Sequence, residues 1–146
     1  MDAVRKTNMK VLEYTHSAGN ETYRRKLVQY YKKVGIDISY EQIMITTGGR
    51  EAIMFGFFTC LSPGDEVIIP EPFYANYNGF ACAAGVNVVP ITSYIENGFA
   101  LPPIEDFEKV ITPKTRAVII CNPNNPTGYL YSRREMEELK NICLKH

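Results

Sequence analysis

Three short segments of the sequence have residue types that could bind a small ligand. The first is Thr46-Thr47-Gly48-Gly49-Arg50-Glu51, where two glycines let the backbone approach a ligand and an arginine adds positive charge. An apolar, helix-like stretch follows, and a helix N-terminus presents unpaired N–H groups that attract anions. This combination suits a phosphate group. The alternative is an ordinary glycine-rich turn, and the dinucleotide-binding and P-loop motifs are both absent.

The second segment, Pro70-Glu71-Pro72-Phe73-Tyr74-Ala75-Asn76-Tyr77, is rich in aromatic side chains. Two prolines fix the direction of the chain, and the aromatic rings follow at once. One of these rings could stack on a flat ligand. The alternative is that Phe73, Tyr74 and Tyr77 simply pack in the core.

The third segment, Cys121-Asn122-Pro123-Asn124-Asn125-Pro126-Thr127-Gly128, contains three asparagines and two prolines. Asparagine amides both donate and accept hydrogen bonds, so they suit a polar ligand. An Asn-Pro bond can adopt the cis form, which re-aims a side chain. The alternative is a rigid connecting turn.

Each of these segments follows a short apolar stretch in a chain that alternates strand and helix patterns. The predicted strands are 43–46, 66–70, 86–91 and 115–121, and the predicted helices are 20–34, 49–61, 73–84, 104–110 and 132–146. The strands are apolar without alternation, as expected when helices cover both faces. We therefore predict an α/β fold with three layers, in which helices flank a mainly parallel sheet. Ligands bind at the carboxyl ends of the strands in such sheets, where all three segments are expected.

Individual residues give further expectations about these elements. Helix 20–34 has an apolar stripe opposite its lysines and arginines, and Gly35 should end it. Helix 49–61 is apolar around its circumference, which predicts a buried helix. Pro90 indicates an edge strand or a strand end. A capping box at Ser132 and Glu135 should start the last helix.

Composition narrows the class of protein. The chain has 146 residues, and its 16 basic and 16 acidic residues leave no net charge, which argues against nucleic-acid binding and a polybasic membrane surface. No apolar signal segment is visible at the N-terminus. The cysteines, Cys60, Cys82, Cys121 and Cys143, are too widely spaced for a zinc site. We expect no metal, and buried, reduced thiols in a cytoplasmic protein.

The third segment carries a resemblance to a known family. Asn122-Pro123-Asn124-Asn125-Pro126-Thr127-Gly128 resembles the NPxNPTG signature of class I aminotransferases, which are pyridoxal-phosphate enzymes of fold type I. Other motifs follow in the family's order over about residues 12–146. They are Tyr14 with Ser17-Ala18-Gly19, Thr47-Gly48-Gly49-Arg50, Ser62-Pro63-Gly64-Asp65-Glu66-Val67 and Pro72-Phe73-Tyr74. The chain also resembles the bacterial aspartate-aminotransferase-like branch of the family.

The resemblance implies a role for each matching residue. Asn125 should hydrogen-bond the 3-oxygen of the pyridoxal ring and face the substrate carboxylate, and Tyr74 should stack on the ring. Backbone N–H groups of the turn Gly48-Gly49-Arg50 should hold the cofactor phosphate. Tyr14 should reach the phosphate of a neighbouring subunit's cofactor in a homodimer. The bond before Pro126 is expected to be cis.

The resemblance also implies what the chain lacks. In the family, a lysine in a Ser-x-Ser-Lys context forms a Schiff base with the cofactor, and no lysine here has that context. No residue is therefore assigned as catalytic. Residues 1–146 are expected to be part of the large, cofactor-binding domain, without the N-terminal arm, the small domain and the C-terminal half of the large domain. Alone, the chain should be inactive.

Three functions remain open at this point. The parent protein could be an aminotransferase acting on an amino acid and a 2-oxo acid. It could be a related fold type I carbon–sulfur lyase or cyclase, because these motifs position the cofactor and do not select the bond that breaks. The chain could also be a non-catalytic truncated domain that self-associates through exposed apolar surface. The sequence does not identify the amino-acid substrate.

Overall fold

The computed structural model describes residues 5, 6, 8, 10, 11 and 13–146, and the chain divides into two compact units, Met1–Glu51 and Ala52–His146. The helices within the described residues 13–146 are α1 (Glu21–Lys33), α2 (Gly49–Cys60), α3 (Asn76–Ala84), α4 (Ile104–Val110) and α5 (Arg133–Lys145). The strands are β1 (Glu66–Glu71), β2 (Asn87–Thr92) and β3 (Thr115–Val118). Short 3₁₀ turns lie at Tyr40–Gln42 and Ile95–Asn97.

Helix α1 has the predicted ends, but its buried face differs from the prediction. The Asn20 side chain accepts the Tyr23 N–H at 3.0 Å, and Gly35 has a φ of 80° just after the helix. The buried residue is Arg24, at 4% exposure, whereas Tyr23 and Tyr30 are more than half exposed. The Arg24 guanidinium donates to backbone carbonyls of Gly19 and Tyr40, and such partners offset the cost of burying a charge.

Residues 43–46 do not form the predicted strand. The Ile45 N–H donates to the Ala18 carbonyl at 2.9 Å, and no strand partner lies alongside among the described residues. The two backbones approach so closely that a Cβ on Gly19 would stand 2.6 Å from the Ile45 Cβ. This contact therefore requires glycine at position 19, and it replaces the sheet pairing that the apolar pattern suggested.

The second unit contains a parallel sheet in the order β2-β1-β3. Val67 of β1 pairs with Val88 of β2 and Ala117 of β3. Pro90 lies in the edge strand β2, as predicted. Strand β3 ends three residues earlier than expected, although the Ile119 N–H still donates to the Ile68 carbonyl at 2.9 Å. The α/β fold class is confirmed.

The core of this unit lies on both faces of β1, because alternate side chains of a strand point to opposite faces. Two buried clusters result. One contains Phe57, Val67, Ile69, Tyr77, Ala81, Ala84 and Val86, and the other contains Ile68, Ile91, Phe107, Leu139 and Ile142. Residues of α2 and α3 pack on one face, and residues of α4 and α5 pack on the other. This is the predicted three-layer arrangement.

Two burial predictions are wrong. Helix α2 was expected to be buried, yet Phe55 is 42% exposed and Phe58 is 57% exposed. The thiols were expected to be buried, yet those of Cys60, Cys82 and Cys143 are exposed, and Cys121 is half-buried. All four cysteines are unpaired. Apolar composition indicates burial only where other residues pack against it, and none of the described residues covers these surfaces.

Within the described part of the chain, no helix has the length and apolar character needed to cross a membrane.

Candidate ligand-binding site

The glycine turn, residues 46–51, is closed by its own acidic residue. The Glu51 carboxylate accepts the Thr47 N–H at 2.6 Å and the Thr47 hydroxyl at 2.9 Å. These two bonds, the backbone bond first, lower the pKa of Glu51 below its ordinary value. The Thr46 hydroxyl also donates to the Gly48 carbonyl at 2.9 Å. Side chains thus fix the shape of the turn from within.

The outer side of this turn is open. Gly48, Gly49 and Arg50 are all exposed, and a Cβ placed on either glycine would meet no heavy atom within 4 Å. Arg50 forms no ion pair with any residue that the structure describes. Because Gly49 and Arg50 begin α2, their N–H groups belong to the turn that has no intrahelical acceptor. Backbone donors, a cation and free space therefore coincide at this turn.

Tyr74 lies between β1 and α3 and is held at two points. Its hydroxyl accepts a hydrogen bond from the Asn76 amide at 2.8 Å. Its ring meets the Tyr77 ring edge-on, with centroids 5.6 Å apart and an angle of 87° between the planes. Tyr74 stays half-buried, whereas Tyr77 is 6% exposed and belongs to the core. The core-packing alternative therefore holds for Tyr77, and Phe73 and Tyr74 pack against the same cluster, although Tyr74 keeps part of its surface accessible.

Tyr77 is the buried residue of the aromatic segment. Burial raises the pKa of the Tyr77 hydroxyl, and the neighbouring thiol of Cys121 raises it further. The Cys121 thiol itself donates to the Pro123 carbonyl at 3.3 Å. The aromatic segment follows β1 and the asparagine loop, residues 121–128, follows β3, and these two strands are parallel neighbours. The two segments share the carboxyl edge of the sheet, as the sequence predicted.

The three asparagines of the loop have different surroundings. Asn122 accepts the Tyr131 N–H at 3.0 Å, and Asn124 accepts both the N–H and the hydroxyl of Thr127, at 3.2 and 3.0 Å. Asn125 is exposed, and its side chain forms no hydrogen bond with a described residue. Two asparagines therefore shape the loop, and the third remains available to a ligand.

The backbone of the loop has unusual conformations. The bond between Asn125 and Pro126 is cis, which confirms the prediction for that bond. The bonds before Pro123 and Pro72 are also cis. Gly128 has a φ of 76°, in the left-handed region that glycine adopts without strain.

Glu135 stabilises the far end of the asparagine loop. It forms the predicted capping box with Ser132, accepting the Ser132 N–H at 2.6 Å. It also accepts the Tyr129 hydroxyl at 3.0 Å and the Leu101 N–H at 3.1 Å. Partial burial raises the pKa of Glu135, but the hydrogen bonds, those from Ser132 above all, outweigh it and leave the pKa lowered.

The sequence-predicted site residues lie in both units. Gly48, Gly49 and Arg50 lie in the first unit, where Tyr14 is fully exposed. Tyr74 and Asn125 lie in the second unit, on segments that follow the neighbouring parallel strands β1 and β3. The roles assigned to these residues stay predictions.

Sequence reasoning missed three supporting side chains, which are Asn76, Asn124 as a brace, and Glu135 as a link to Leu101. The spacing of Asn124 and Thr127 is a readable turn signal, because an asparagine side chain often bonds the backbone a few residues on. Nothing local in the sequence indicates the other two contacts.

Comparison with known proteins relates the chain to one family. The whole chain, residues 1–146, matches the sequence model of the family Aminotransferase class I and II. It is 38% identical to the aromatic-amino-acid aminotransferase 2 of Thermococcus litoralis, an alignment that covers 91% of this chain and 34% of that protein. It is 34% identical to the aspartate aminotransferase of Bacillus subtilis, covering 99% of this chain and 37% of that protein.

Solved structures show the same relationship. The aspartate aminotransferase of Thermus thermophilus with maleate is 33% identical and superposes with a TM-score of 0.86, covering 92% of this chain and 35% of that one. The alanine aminotransferase of Pyrococcus furiosus is 33% identical with a TM-score of 0.87, covering 99% and 36%. The chain spans about a third of the length of these relatives. It belongs to the class I and II aminotransferase family.

Proposed function

We propose that the whole protein is a pyridoxal-phosphate-dependent aminotransferase, which moves an amino group between an amino acid and a 2-oxo acid. In this proposal, residues 1–146 are the central part of its cofactor-binding domain. The observation that carries the proposal is the asparagine loop, in which Asn122 and Asn124 are bound internally and Asn125 is left free. The loop follows β3 at the carboxyl edge of the parallel sheet, where ligands bind in α/β folds.

The first unit fits the phosphate of this cofactor. The turn Gly48-Gly49-Arg50 combines an open surface, main-chain donors at the start of α2 and a cation without an ion-pair partner among the described residues. A helix N-terminus favours an anion, and an arginine adds charge-assisted hydrogen bonds. These residues would hold the phosphate and so fix one end of the cofactor.

The second unit fits the ring of the cofactor. Tyr74 presents an accessible aromatic surface, which would stack on the flat pyridine ring. The Asn125 amide would donate to the ring's 3-oxygen and face the substrate carboxylate. Bound pyridoxal phosphate supplies the electron sink for reactions at the α-carbon, while the protein orients the reactants.

Further features belong to the proposal for the whole protein. A lysine in a Ser-x-Ser-Lys context would lie beyond residue 146 and move the proton at the α-carbon. A homodimer would place the exposed Tyr14 at the phosphate of a neighbouring subunit's cofactor. A cytoplasmic location is part of the same proposal.

The first test is to sequence the source DNA beyond His146. The proposal expects the reading frame to continue into a strand with an aspartate and tyrosine pair, and then into the lysine segment. A reading frame that stops at His146 would contradict the proposed activity. The chain would then be a non-catalytic product, and self-association would be measured by sedimentation.

The second test is turnover by the whole protein. Consumption of an amino acid that depends on 2-oxoglutarate supports an aminotransferase. Release of pyruvate and a thiol, without a 2-oxo acid, supports the carbon–sulfur lyase instead.

The third test is cofactor binding by the apo form of the whole protein. Pyridoxamine 5′-phosphate is the suitable probe, because its amine cannot react with surface lysines as the aldehyde does. Pyridoxamine, which lacks the phosphate, is the matched control ligand. The proposal expects the phosphorylated probe to bind more tightly by at least tenfold, and equal affinities would contradict the role of the glycine turn.

A further inference from the structure

We propose that Asn124 is a positioning residue whose side chain braces the turn that presents Asn125 to the cofactor. This inference rests on the proposed function, because it gives Asn125 a ligand to meet. Asn124 itself is 9% exposed, so it is not a ligand-binding group. It acts through its neighbour.

The polar groups of Asn124 are used within the loop. Its Oδ1 accepts the N–H and the hydroxyl of Thr127. Its own N–H donates to the Tyr129 carbonyl at 2.8 Å, and its carbonyl accepts the Gly128 N–H at 2.8 Å. Asn124, which precedes Asn125 and Pro126, is therefore bonded to residues 127–129, which follow them. These bonds hold both ends of the short segment that contains Asn125.

The loop is also linked to a buried aromatic residue. Tyr131 is 6% exposed, and the Asn122 side chain accepts its N–H. Burial raises the pKa of the Tyr131 hydroxyl, and the nearby Asn124 side chain opposes that rise. The loop that Asn124 braces is thus anchored to the core through Asn122.

Asparagine suits this position because its short side chain places an acceptor within reach of Thr127. Alanine would remove this acceptor. Aspartate would keep the acceptor toward Thr127 and lose only the amide N–H groups. The Asn125 side chain has no bonds of its own to described residues, so its direction depends on the backbone that Asn124 holds.

A double-mutant cycle in the whole protein tests this role. Binding of pyridoxamine 5′-phosphate to the apo form is compared for Asn124→Ala, Asn125→Ala and the double variant, well below the melting temperature of each. We expect each single variant to weaken binding about tenfold and the double variant to bind no more weakly than Asn125→Ala, because coupled residues act as one unit. Asn141→Ala, at an exposed asparagine of α5, is the matched control.

Spectroscopy separates positioning from a merely structural effect. Asn124→Ala should shift the visible absorption band of bound pyridoxal phosphate in the same direction as Asn125→Ala. A structural role alone would lower the melting temperature and leave the band unchanged. Asn124→Asp, which keeps the acceptor toward Thr127, should restore part of the affinity.

The outcomes distinguish this inference from the proposed function. If Asn125→Ala weakens binding and Asn124→Ala does not, the positioning role is overturned and the proposed function stands. If Asn125→Ala has no effect, the proposed function of the loop fails and the positioning role fails with it. Should Asn124→Ala not fold, Thr127→Val removes the hydroxyl that donates to Asn124 and accepts the Tyr129 N–H, while the Thr127 N–H bond to Asn124 remains, and it should weaken binding about twofold. Unchanged binding by Thr127→Val would then overturn the positioning role.

Discussion

The glycine turn and the asparagine loop reach a similar result by different means. In the turn, the Glu51 side chain satisfies Thr47, and the groups left free are backbone donors and the Arg50 cation. In the loop, the side chains of Asn122 and Asn124 satisfy the backbone, and the group left free is the side chain of Asn125. In each region, internal hydrogen bonds pair several polar groups, and a few groups remain exposed and without a partner among the described residues.

This difference predicts how each region responds to substitution. Backbone donors persist when a side chain changes, so the turn should respond chiefly to changes of charge. The loop depends on individual amides, so deletion of one amide should matter, and its effect should depend on which amide is deleted. The following predictions test this contrast.

Charge reversal in the glycine turn should have the largest effect. Arg50→Glu in the whole protein should weaken pyridoxamine 5′-phosphate binding about 100-fold, since a charged hydrogen bond contributes roughly 1.5–3 kcal/mol and the new carboxylate repels the phosphate. Pyridoxamine binding should stay unchanged. Calorimetric titration measures both affinities. Lys140→Glu, at an exposed lysine of α5, is the control, and an equal loss for both ligands would contradict a phosphate site.

Deletion of loop amides should separate stability from binding. Asn122→Ala should lower the free energy of unfolding by about 1.5 kcal/mol, because the N–H of the buried Tyr131 loses its acceptor. Asn125→Ala should change it by less than about 0.5 kcal/mol, as expected for an exposed side chain without partners. Urea denaturation of the chain measures both. Equal destabilisation by the two variants would remove the distinction between shaping and presenting asparagines.

The free energy of unfolding should depend on pH through Glu135. Since its pKa is lowered in the folded state, the carboxylate contributes stability at pH values above its ordinary 4.5, and this contribution is lost as the pH falls through the folded value. Glu135→Gln should therefore cost about 1 kcal/mol near neutral pH, comparable to a lost helix cap. The difference from the unmodified chain should vanish in acid.

Urea midpoints measured from pH 7 to pH 3 would show this convergence. Glu96→Gln, at an exposed glutamate, is the control and should run parallel to the unmodified chain. Glu51 and Glu108 also have lowered pKa values, so some acid dependence should remain in Glu135→Gln. Parallel curves for Glu135→Gln and the unmodified chain would contradict the role of the carboxylate.

The sequence predicted most of the second unit because its signals are local. The capping box at Ser132 and the apolar strands each specify their element through neighbouring residues. Residues 43–46 failed because a strand also needs a partner, and the close approach of Gly19 to Ile45 lies beyond any local pattern.

Burial was predicted less accurately than secondary structure, because the burial of a residue depends on which side chains of other segments pack against it. The apolar α2 exposes Phe58, whereas Arg24 is buried and donates to the nearby Gly19 carbonyl and to the Tyr40 carbonyl, 16 residues away. The motif residues of the site were found through the family's pattern. Among the side chains that support them, Glu135 bonds to Leu101, which is 34 residues away, and no local pattern indicates that contact.

The smallest expected effect concerns Asn76, which holds the ring that the proposal stacks on the cofactor. Asn76→Ala removes the donor to the Tyr74 hydroxyl, but the edge-on contact with Tyr77 remains, so pyridoxamine 5′-phosphate should bind about twofold more weakly. Such a loss corresponds to roughly 0.4 kcal/mol, below the usual worth of one hydrogen bond because the hydroxyl is accessible to water. In a Tyr74→Phe background the hydroxyl is absent, and Asn76→Ala should then have no further effect. A loss of the same size in that background would show that Asn76 acts on the cofactor directly and not through Tyr74.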